Sequence, residues 1–305
     1  MSTRTIRYSW KNIVTTVGMD EAGSGPSVVL LPALSSISTR AEMRPLFETL
    51  APEFRVSTVD WPGFGDLVRV RTDWSPAILS AFLDWFLSEI VAPPHIVVAA
   101  GHAASYALYQ AAYRHGTIER LVLIAPTWRG PLPTMMGGQR PWFAHVRVGV
   151  DHWGIGPLLY WLNMSRFVVT RMAREHVYED PGWLSGDRLS AKLVVTRTPG
   201  ARHASVRFVS GALDRVESRA AFLDLARRAS DRTGFGGSNG FLPGRQPLRG
   251  CAQCPAPSGE SDAAPGRGTS GEPCGTFIHG GTLCTSRCLL LDAARLLPGV
   301  PGHEP

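Results

Sequence analysis

The chain has 305 residues, a hydrophobic fraction of 44% and a formal net charge of +6, and only Lys11 and Lys192 among its 31 basic residues are lysine. The hydrophobic fraction is ordinary for a globular protein, and no arginine stripe interleaved with aromatic residues indicates nucleic-acid binding. No run reaches the roughly 18 apolar residues of a membrane span, and "MSTRTIRYSWKN" has no apolar signal region, so we expect a cytoplasmic protein without a transmembrane segment.

The first part of the chain, residues 1–127, alternates apolar runs with amphipathic segments, which is typical of βαβ units. "SVVLLPAL" (27–34) is a continuous apolar run bounded by turn residues, and it predicts a buried parallel strand. "FRVSTVDWPGFG" (54–65) predicts a second strand that ends in an acidic loop rich in Pro and Gly.

The next segment, "WSPAILSAFLDWFLSEI", predicts a helix with Ser75 as N-cap and Pro76 at the first helical position. "HIVVAAG" and "ERLVLIAP" predict two further buried strands, with a helix from Ala104 to Tyr113 between them. Single helices between strands favour right-handed crossovers. The fold class predicted for residues 1–127 is therefore α/β, with a doubly wound, mostly parallel sheet.

Residues 128–202 are rich in Trp, Pro, Gly and Arg and contain amphipathic pieces. They predict a helical lid inserted over the carboxyl ends of the strands, where open α/β sheets bind ligands. We assign residues 203–229 to the end of the core. Five tryptophans are expected either to line an apolar cavity or to form the core of the lid: Trp61, Trp128, Trp142, Trp153 and Trp161. The lid residues Arg166, Arg171 and Arg174 allow peripheral contact with anionic lipid headgroups or simply form a solvated face.

The last segment, residues 230–305, loses periodicity and is rich in Gly and Pro, which predicts a disordered tail or a tail translated in a non-native reading frame. All five cysteines lie in this segment. "CAQC" has the spacing of a zinc knuckle, but the spacing of the other three cysteines fits no zinc site that we would expect. We therefore predict no metal, and no disulfide framework in the first 250 residues.

Four motifs resemble those of the α/β-hydrolase superfamily, over roughly residues 8–229. "LLPALSS" stands in the place of its oxyanion loop and "DWPGFGD" matches its Asp-x-Pro-Gly-x-Gly turn. "GHAAS" falls on the nucleophile elbow, and "LVLIAPTW" resembles the strand that follows. The resemblance implies the fold more strongly than it implies activity.

At the elbow, the resemblance places the nucleophile two residues after Gly101, where this chain has Ala103. A methyl group cannot attack a carbonyl carbon, so the usual covalent step is lost. His102 precedes this position and is expected to pack beside the turn. Ser105 is expected to pack between strand and helix. Ser35 and Ser36 line the expected pocket and are weak alternative nucleophiles.

The oxyanion donors implied by the resemblance are the backbone N–H groups of Leu34 and Ala104. Pro32-Ala33 replaces the usual His-Gly of this loop, but neither expected donor is proline, so a backbone oxyanion hole is compatible with the sequence. Such a hole without a nucleophile still binds a carbonyl or a carboxylate.

The catalytic acid implied by the resemblance is Asp214, in "SVRFVSGALDRVES". That segment fits a strand followed by a turn, but its apolar spacing fits a helix equally well. No convincing catalytic histidine follows, since His279 lies in a Gly-rich tract and His303 is three residues from the end.

We therefore predict an α/β-hydrolase-like protein similar to enzymes that act on esters or small carbonyl compounds but impaired as a serine hydrolase. The alternative is a non-catalytic protein of the same fold that binds a small apolar ligand or acts as a scaffold. The expected partner in both cases is a small apolar or ester-like ligand under the lid, with no cofactor.

Overall fold

The structure is a computed structural model that describes residues 1–93, 95–114, 116–176 and 186–233, and the side chains of all of these except residues 172–176. All of the predicted tail beyond residue 233 lies outside the described residues. The five cysteines, His279 and His303 lie there as well.

A single mixed sheet of six described strands forms the centre of the protein. Its strand order is first, second, fourth, third, fifth and sixth, and the last four positions in that order are parallel to one another. The predicted α/β class with a mostly parallel, doubly wound sheet is confirmed. The strands are β1 (Ser2–Trp10), β2 (Ile13–Ala22), β3 (Ser27–Leu31), β4 (Arg55–Val59), β5 (His95–Ala100) and β6 (Ile118–Ile124).

The sheet begins with an antiparallel hairpin, β1–β2, which the prediction of parallel strands does not include although the sequence carries a signal for it. Its buried and exposed residues alternate over the last part of β1 and the first part of β2, as in strands with one solvated face. Trp10 pairs with Ile13, so the connecting turn contains only two residues. The first of these, Lys11, adopts a φ of 51°, which matches the left-handed backbone that such short hairpin turns require.

In the part of the chain that the structure describes, ten α-helices accompany the strands, together with a 3-10 turn at Arg40–Met43 and a π-helical turn at Phe86–Ile90. The predicted helix start with Ser75 and Pro76 is confirmed, because the second helix begins at Pro76 with Ser75 as its extended N-cap. The helices are α1 (Arg44–Leu50), α2 (Pro76–Trp85), α3 (Ala103–Tyr113), α4 (Pro131–Met135), α5 (Phe143–Asp151), α6 (Gly156–Asn163), α7 (Arg166–His176), α8 (Gly186–Thr196), α9 (Ala201–Val209) and α10 (Arg219–Arg232).

Apolar side chains cover both faces of the sheet, because successive residues of a strand point to opposite sides. Val29 and Val97 belong to the larger core cluster, which includes residues of α2, α3 and α10. Val28 and Val98 belong to a second cluster, formed with α1. This two-sided burial explains why β3 and β5 read as continuous apolar runs in the sequence.

The α4–α9 helices follow β6, and their last member packs on the loop after β4. A Cβ added at Gly63 would lie 2.7 Å from the Cβ of Ala204 in α9, so this contact requires glycine. Phe64 meets Phe208 of α9 edge to face at 6.5 Å between ring centroids. Of the two structures left open for "SVRFVS", the helix is the one observed. None of the described helices combines the length and hydropathy needed to cross a bilayer.

Candidate functional site

The carboxyl ends of the parallel strands β3, β4, β5 and β6 meet at one edge of the sheet. Ligands of open α/β sheets bind at this edge, in the crevice between loops. Four loops reach it, with residues 32–38, 60–74, 101–102 and 125–130. All residues predicted for the site lie in these loops, at the start of α3, or in the loop that follows α9.

The turn from β5 into α3 takes its sharp bend at Gly101, which has a φ of 53°. Its N–H donates to the carbonyl of Ile124 at 2.9 Å, which fixes the turn against β6. Ala103 is the first residue of α3, and the only described non-glycine residues with positive φ are Lys11 and Ala125. The left-handed corner therefore falls two residues before the nucleophile position, which lies in ordinary helix.

The side chain of Ala103 is completely buried in the main core cluster. Ala104 is buried as well, and its N–H donates to the carbonyl of Gly101 at 3.2 Å. An oxyanion bound by that N–H would have to compete with this bond. The hydroxyl of Ser105 donates to the carbonyl of His102 at 3.0 Å, as its expected packing role requires.

The loop after β3 brings the predicted oxyanion residue Leu34 into the core, with 1% of its surface exposed. The Ser35 hydroxyl accepts a long hydrogen bond of 3.4 Å from the N–H of Ile37. Ser36 is buried, and its hydroxyl has no partner among the described residues. Neither hydroxyl forms a hydrogen bond with a histidine among the described residues.

His102 and Asp214 face each other across the start of α3. The Nε2 of His102 lies 3.5 Å from Oδ1 of Asp214 and 3.3 Å from the carbonyl oxygen of Leu213. Because a carbonyl only accepts, Nε2 carries the proton and donates it. The hydroxyl of Tyr106 donates to the same carbonyl at 2.7 Å, and the N–H of Gly130 donates to Asp214 at 2.8 Å.

The protonation of this pair is opposite to that of a working acid–base pair. Burial lowers the pKa of His102 to about 4, although the hydrogen bond to the Leu213 carbonyl opposes this change. Burial raises the pKa of Asp214 to about 7, against the N–H of Gly130 and the charge of Arg129. His102 is therefore neutral and weakly basic at pH 7, whereas a general base works best with a pKa near the operating pH.

Arg40 holds the Asp-x-Pro-Gly-x-Gly loop in place, and the acidic side chains of the motif serve as its partners. The N–H of Arg40 donates to Asp60 at 2.7 Å, and its guanidinium pairs with Asp60, with Asp66 at 2.8 Å and with Asp20 at 3.2 Å. Gly65 has a φ of 86°, and a Cβ there would collide with the Asp60 carboxylate. The motif thus closes a buried turn around one carboxylate.

A charged network inside the α4–α9 helices has no counterpart in the sequence prediction. Nδ1 of His203 lies 2.6 Å from Oδ1 of Asp151, and Arg207 contacts the other oxygen of Asp151 at 2.8 Å. Arg207 also contacts the exposed Asp73 at 3.0 Å. The i, i+4 spacing of the two basic residues on α9 was the signal available in the sequence.

The five tryptophans differ widely in burial, and their expected role in lining a cavity stays a prediction. Trp61 lies in the sheet core and donates its indole N–H to the carbonyl of Pro32 at 2.9 Å. Trp128 packs partly buried against that core, with Arg129 over its ring. The other three are exposed over 45%, 80% and 59% of their surfaces: Trp142, Trp153 and Trp161.

The basic residues proposed for membrane contact lie on α7. Arg166 is exposed beside Phe167, which is 74% exposed, and the side chain of Arg174 lies outside the described residues. Peripheral membrane contact stays a prediction. Among the described residues, no group of three or more His, Cys, Asp or Glu side chains is placed to hold a metal ion.

Comparison with known proteins places the chain in a family. The profile of the Alpha/beta hydrolase family matches residues 28–268, more than half of the chain, and the chain belongs to this family. No curated protein matches the sequence.

Solved structures with the same fold confirm that architecture. The haloalkane dehalogenase DatA from Agrobacterium tumefaciens C58 is 16% identical, with a TM-score of 0.52 over 75% of this chain and 74% of its own. The epoxide hydrolase CorEH is 18% identical, with a TM-score of 0.51 over 74% and 77%. An alpha/beta hydrolase fold protein from Burkholderia ambifaria is 20% identical, with a TM-score of 0.53 over 73% and 74%.

Proposed function

We propose that this α/β-hydrolase-fold protein is impaired as a serine hydrolase and binds a small ligand under the α4–α9 helices. One observation carries the proposal: residue 103 is an alanine, fully buried in core packing at the start of a regular helix. A nucleophile needs both a reactive atom and exposure at the top of the turn, and this position has neither.

The surroundings of the elbow support the same conclusion. His102 is buried and weakly basic, and its protonated nitrogen is directed to the carbonyl of Leu213. Asp214 lies beside Nε2 of His102, but the other ring nitrogen, Nδ1, has no hydrogen-bond partner among the described residues. The pair therefore has no described hydroxyl from which it could remove a proton. Substituting serine at position 103 therefore restores only one of the missing parts.

The position of the candidate site, at the carboxyl edge of the parallel strands, supports ligand binding as the retained activity. Two of the similar structures are a haloalkane dehalogenase and an epoxide hydrolase, which are named for small-molecule substrates. Open α/β sheets bind their ligands at this edge. The second candidate function is hydrolysis by a water molecule that Nδ1 of His102 activates. Its support is the unpaired state of that nitrogen.

The test is hydrolysis of p-nitrophenyl acetate and p-nitrophenyl butyrate by the full chain and three variants. We expect the wild-type protein, Ala103→Ser and His102→Gln to give the same rate as buffer with an unrelated protein. Ala107→Ser is the matched control, because Ala107 is equally buried one turn further along α3. Hydrolysis that falls at least tenfold in His102→Gln would overturn the proposal and favour the water mechanism.

A further inference from the structure

A buried arginine lies where the loop after β4 meets the α4–α9 helices. Only 4% of the surface of Arg69 is exposed. Its Nη2 donates to the carbonyl oxygens of Val195, at 3.0 Å, and of Gly65. The other two nitrogens, Nε and Nη1, have no hydrogen-bond partner among the described residues. Two nitrogens of a buried cation are thus left without acceptors.

The charge of Arg69 also lacks a counter-ion in the described part of the chain. Asp60 and Asp66 are near enough to favour the charged form, but neither forms an ion pair with it, and burial lowers the pKa of Arg69. Arg40 and Arg207 are buried to a similar degree, and each contacts at least two carboxylates. A buried, unpaired charge is strongly unfavourable, so this environment favours an anion.

Polar groups also lie on the loop of Arg69 and on the helices packed against it. The backbone N–H of Arg69 bonds to Pro199, and a Cβ at Gly200 would lie 1.9 Å from the carbonyl oxygen of Arg69, so this loop is pressed against the start of α9. The Tyr160 hydroxyl lies 3.4 Å from Oγ of Ser205, and the charge of Arg69 acts on that phenol. The indole N–H of Trp74, on the same loop, is buried and has no described partner.

Helix α9 connects these groups with the elbow. Ser205, Phe208 and the residues between them span about one turn, which is a rise of about 4.5 Å. Phe208 packs edge to face on His102, with 5.6 Å between ring centroids. Helix α9 thus carries side chains that reach both the neighbourhood of Tyr160 and the ring of His102.

We propose that Arg69 binds the carboxylate of the small ligand, with the hydroxyls of Tyr160 and Ser205 as neighbouring donors. This inference rests on the proposed function, since it names the chemical class of the ligand bound under the α4–α9 helices. A carboxylate oxygen accepts a charge-assisted hydrogen bond from Nε or from Nη1, each of which lacks a described acceptor, and it brings the missing negative charge. One cation balances a monoanion, whereas a phosphate dianion would leave a buried negative charge.

The experiment compares hexanoate with its neutral analogue hexanamide, by isothermal titration calorimetry on the full chain. We expect hexanoate to bind at least tenfold more tightly than hexanamide. Arg69→Met should abolish that preference, and its own melting temperature without ligand should equal or exceed that of the wild-type protein, because the unpaired charge is gone. Arg219→Met, an exposed arginine at the start of α10, is the matched control and should keep the preference.

The outcomes separate this inference from the proposed function. Equal binding of hexanoate and hexanamide, with or without Arg69, would overturn the carboxylate site and leave ligand binding in place. Arg69 would have a structural role instead if two results coincide. Arg69→Met would melt well below the wild-type protein, and Arg69→Lys and Arg69→Gln would both keep the preference for hexanoate. If acetate, hexanoate, decanoate and benzoate all fail to bind the wild-type protein, the carboxylate proposal is wrong, and a neutral panel then tests the proposed function alone.

Discussion

The start of α3 and the contact between the loop after β4 and α9 lie at the same edge of the sheet but differ in charge. At the start of α3, Ala103 and Ala104 pack as core, and beside them His102 is neutral at pH 7, while burial raises the pKa of Asp214 to about 7, so that it titrates near neutral pH. At the loop–α9 contact, Arg69 and Arg207 keep buried charges.

This difference shows where binding capacity remains in the protein. The unpaired atom beside the elbow is a neutral ring nitrogen, which costs far less to bury than a charge. The unpaired atoms at the loop–α9 contact belong to a cation. The alanine at position 103 is packed among apolar side chains, whereas a buried cation without a partner is tolerated only with a compensating anion or at a cost in stability.

The largest effect on stability is expected from removing Arg207, whose charge is paired at the loop–α9 contact. Arg207→Met leaves Asp151 with only His203 and removes the link to Asp73. We expect a loss of about 3 kcal/mol in the free energy of unfolding, as for other broken buried ion pairs. Urea denaturation measures it.

The control for this prediction is Arg228→Met, which removes an exposed pair with Asp224 on α10. We expect its urea midpoint to match that of the wild-type protein, because exposed pairs contribute little. Equal destabilisation by both variants would show that the Asp151–Arg207 network has no special role, and the comparison between the two regions would fail.

The second prediction concerns the neutral state of the pair beside the elbow. Asp214 is protonated more readily in the folded than in the unfolded protein, because burial raises its pKa from 3.8 to about 7. This contribution to stability is complete below pH 3.8 and is lost as the pH rises through 7. Asp214→Asn imitates the protonated form, so its stability relative to wild type should rise with pH, by on the order of 2 kcal/mol between pH 4 and pH 8.

Thermal unfolding of both proteins at pH 4, 6 and 8 measures this difference. The Asn variant keeps an acceptor oxygen for the N–H of Gly130, so that bond does not dominate the comparison. His102 shifts the stability of both proteins alike, with loss of stability as the pH falls below 6.5, because its folded pKa is lower than its unfolded value. A stability difference that is the same at all three pH values would mean that Asp214 is ionised in the folded protein.

Much of the fold is predictable from the sequence because buried parallel strands leave a strong pattern. The apolar runs at 27–34 and 95–101 are covered on both faces, and the Pro76 and Gly101 positions mark the ends of elements. The β1–β2 hairpin is weaker in the sequence, because its alternation is partly masked by exposed apolar residues such as Val14.

The site is much less predictable. His102 and Asp214 are 112 positions apart, and nothing in either local sequence indicates that they face each other. Arg69 differs from the other described arginines in being buried with two nitrogens that have no described hydrogen-bond partner, and both properties belong to the folded chain. Both Ala103 at the expected nucleophile position and the corner at Gly101 are visible in the sequence, whereas the burial of Ala103 is not.

The smallest effect is expected from backbone strain at the elbow. Gly101→Ala places a Cβ at a φ of 53° and 3.0 Å from the Cβ of Ala33, so we expect a loss of about 1–2 kcal/mol. Gly116→Ala has a φ of 81° but no atom within 4 Å of the new Cβ, and it should lose about 1 kcal/mol from strain alone. Urea denaturation of both variants separates strain from crowding. A gain in stability in Gly101→Ala would show that the corner lies elsewhere.

The most direct test of the impaired elbow is covalent labelling. The wild-type protein and Ala103→Ser are incubated with a fluorophosphonate, which forms an adduct with activated serines, and their intact masses are measured. We predict no adduct on either protein, because position 103 is buried in core packing and its neighbour His102 is too weak a base near pH 7. An adduct on residue 103 of the variant, or on Ser35 or Ser36 of the wild-type protein, would contradict the loss of nucleophilic catalysis.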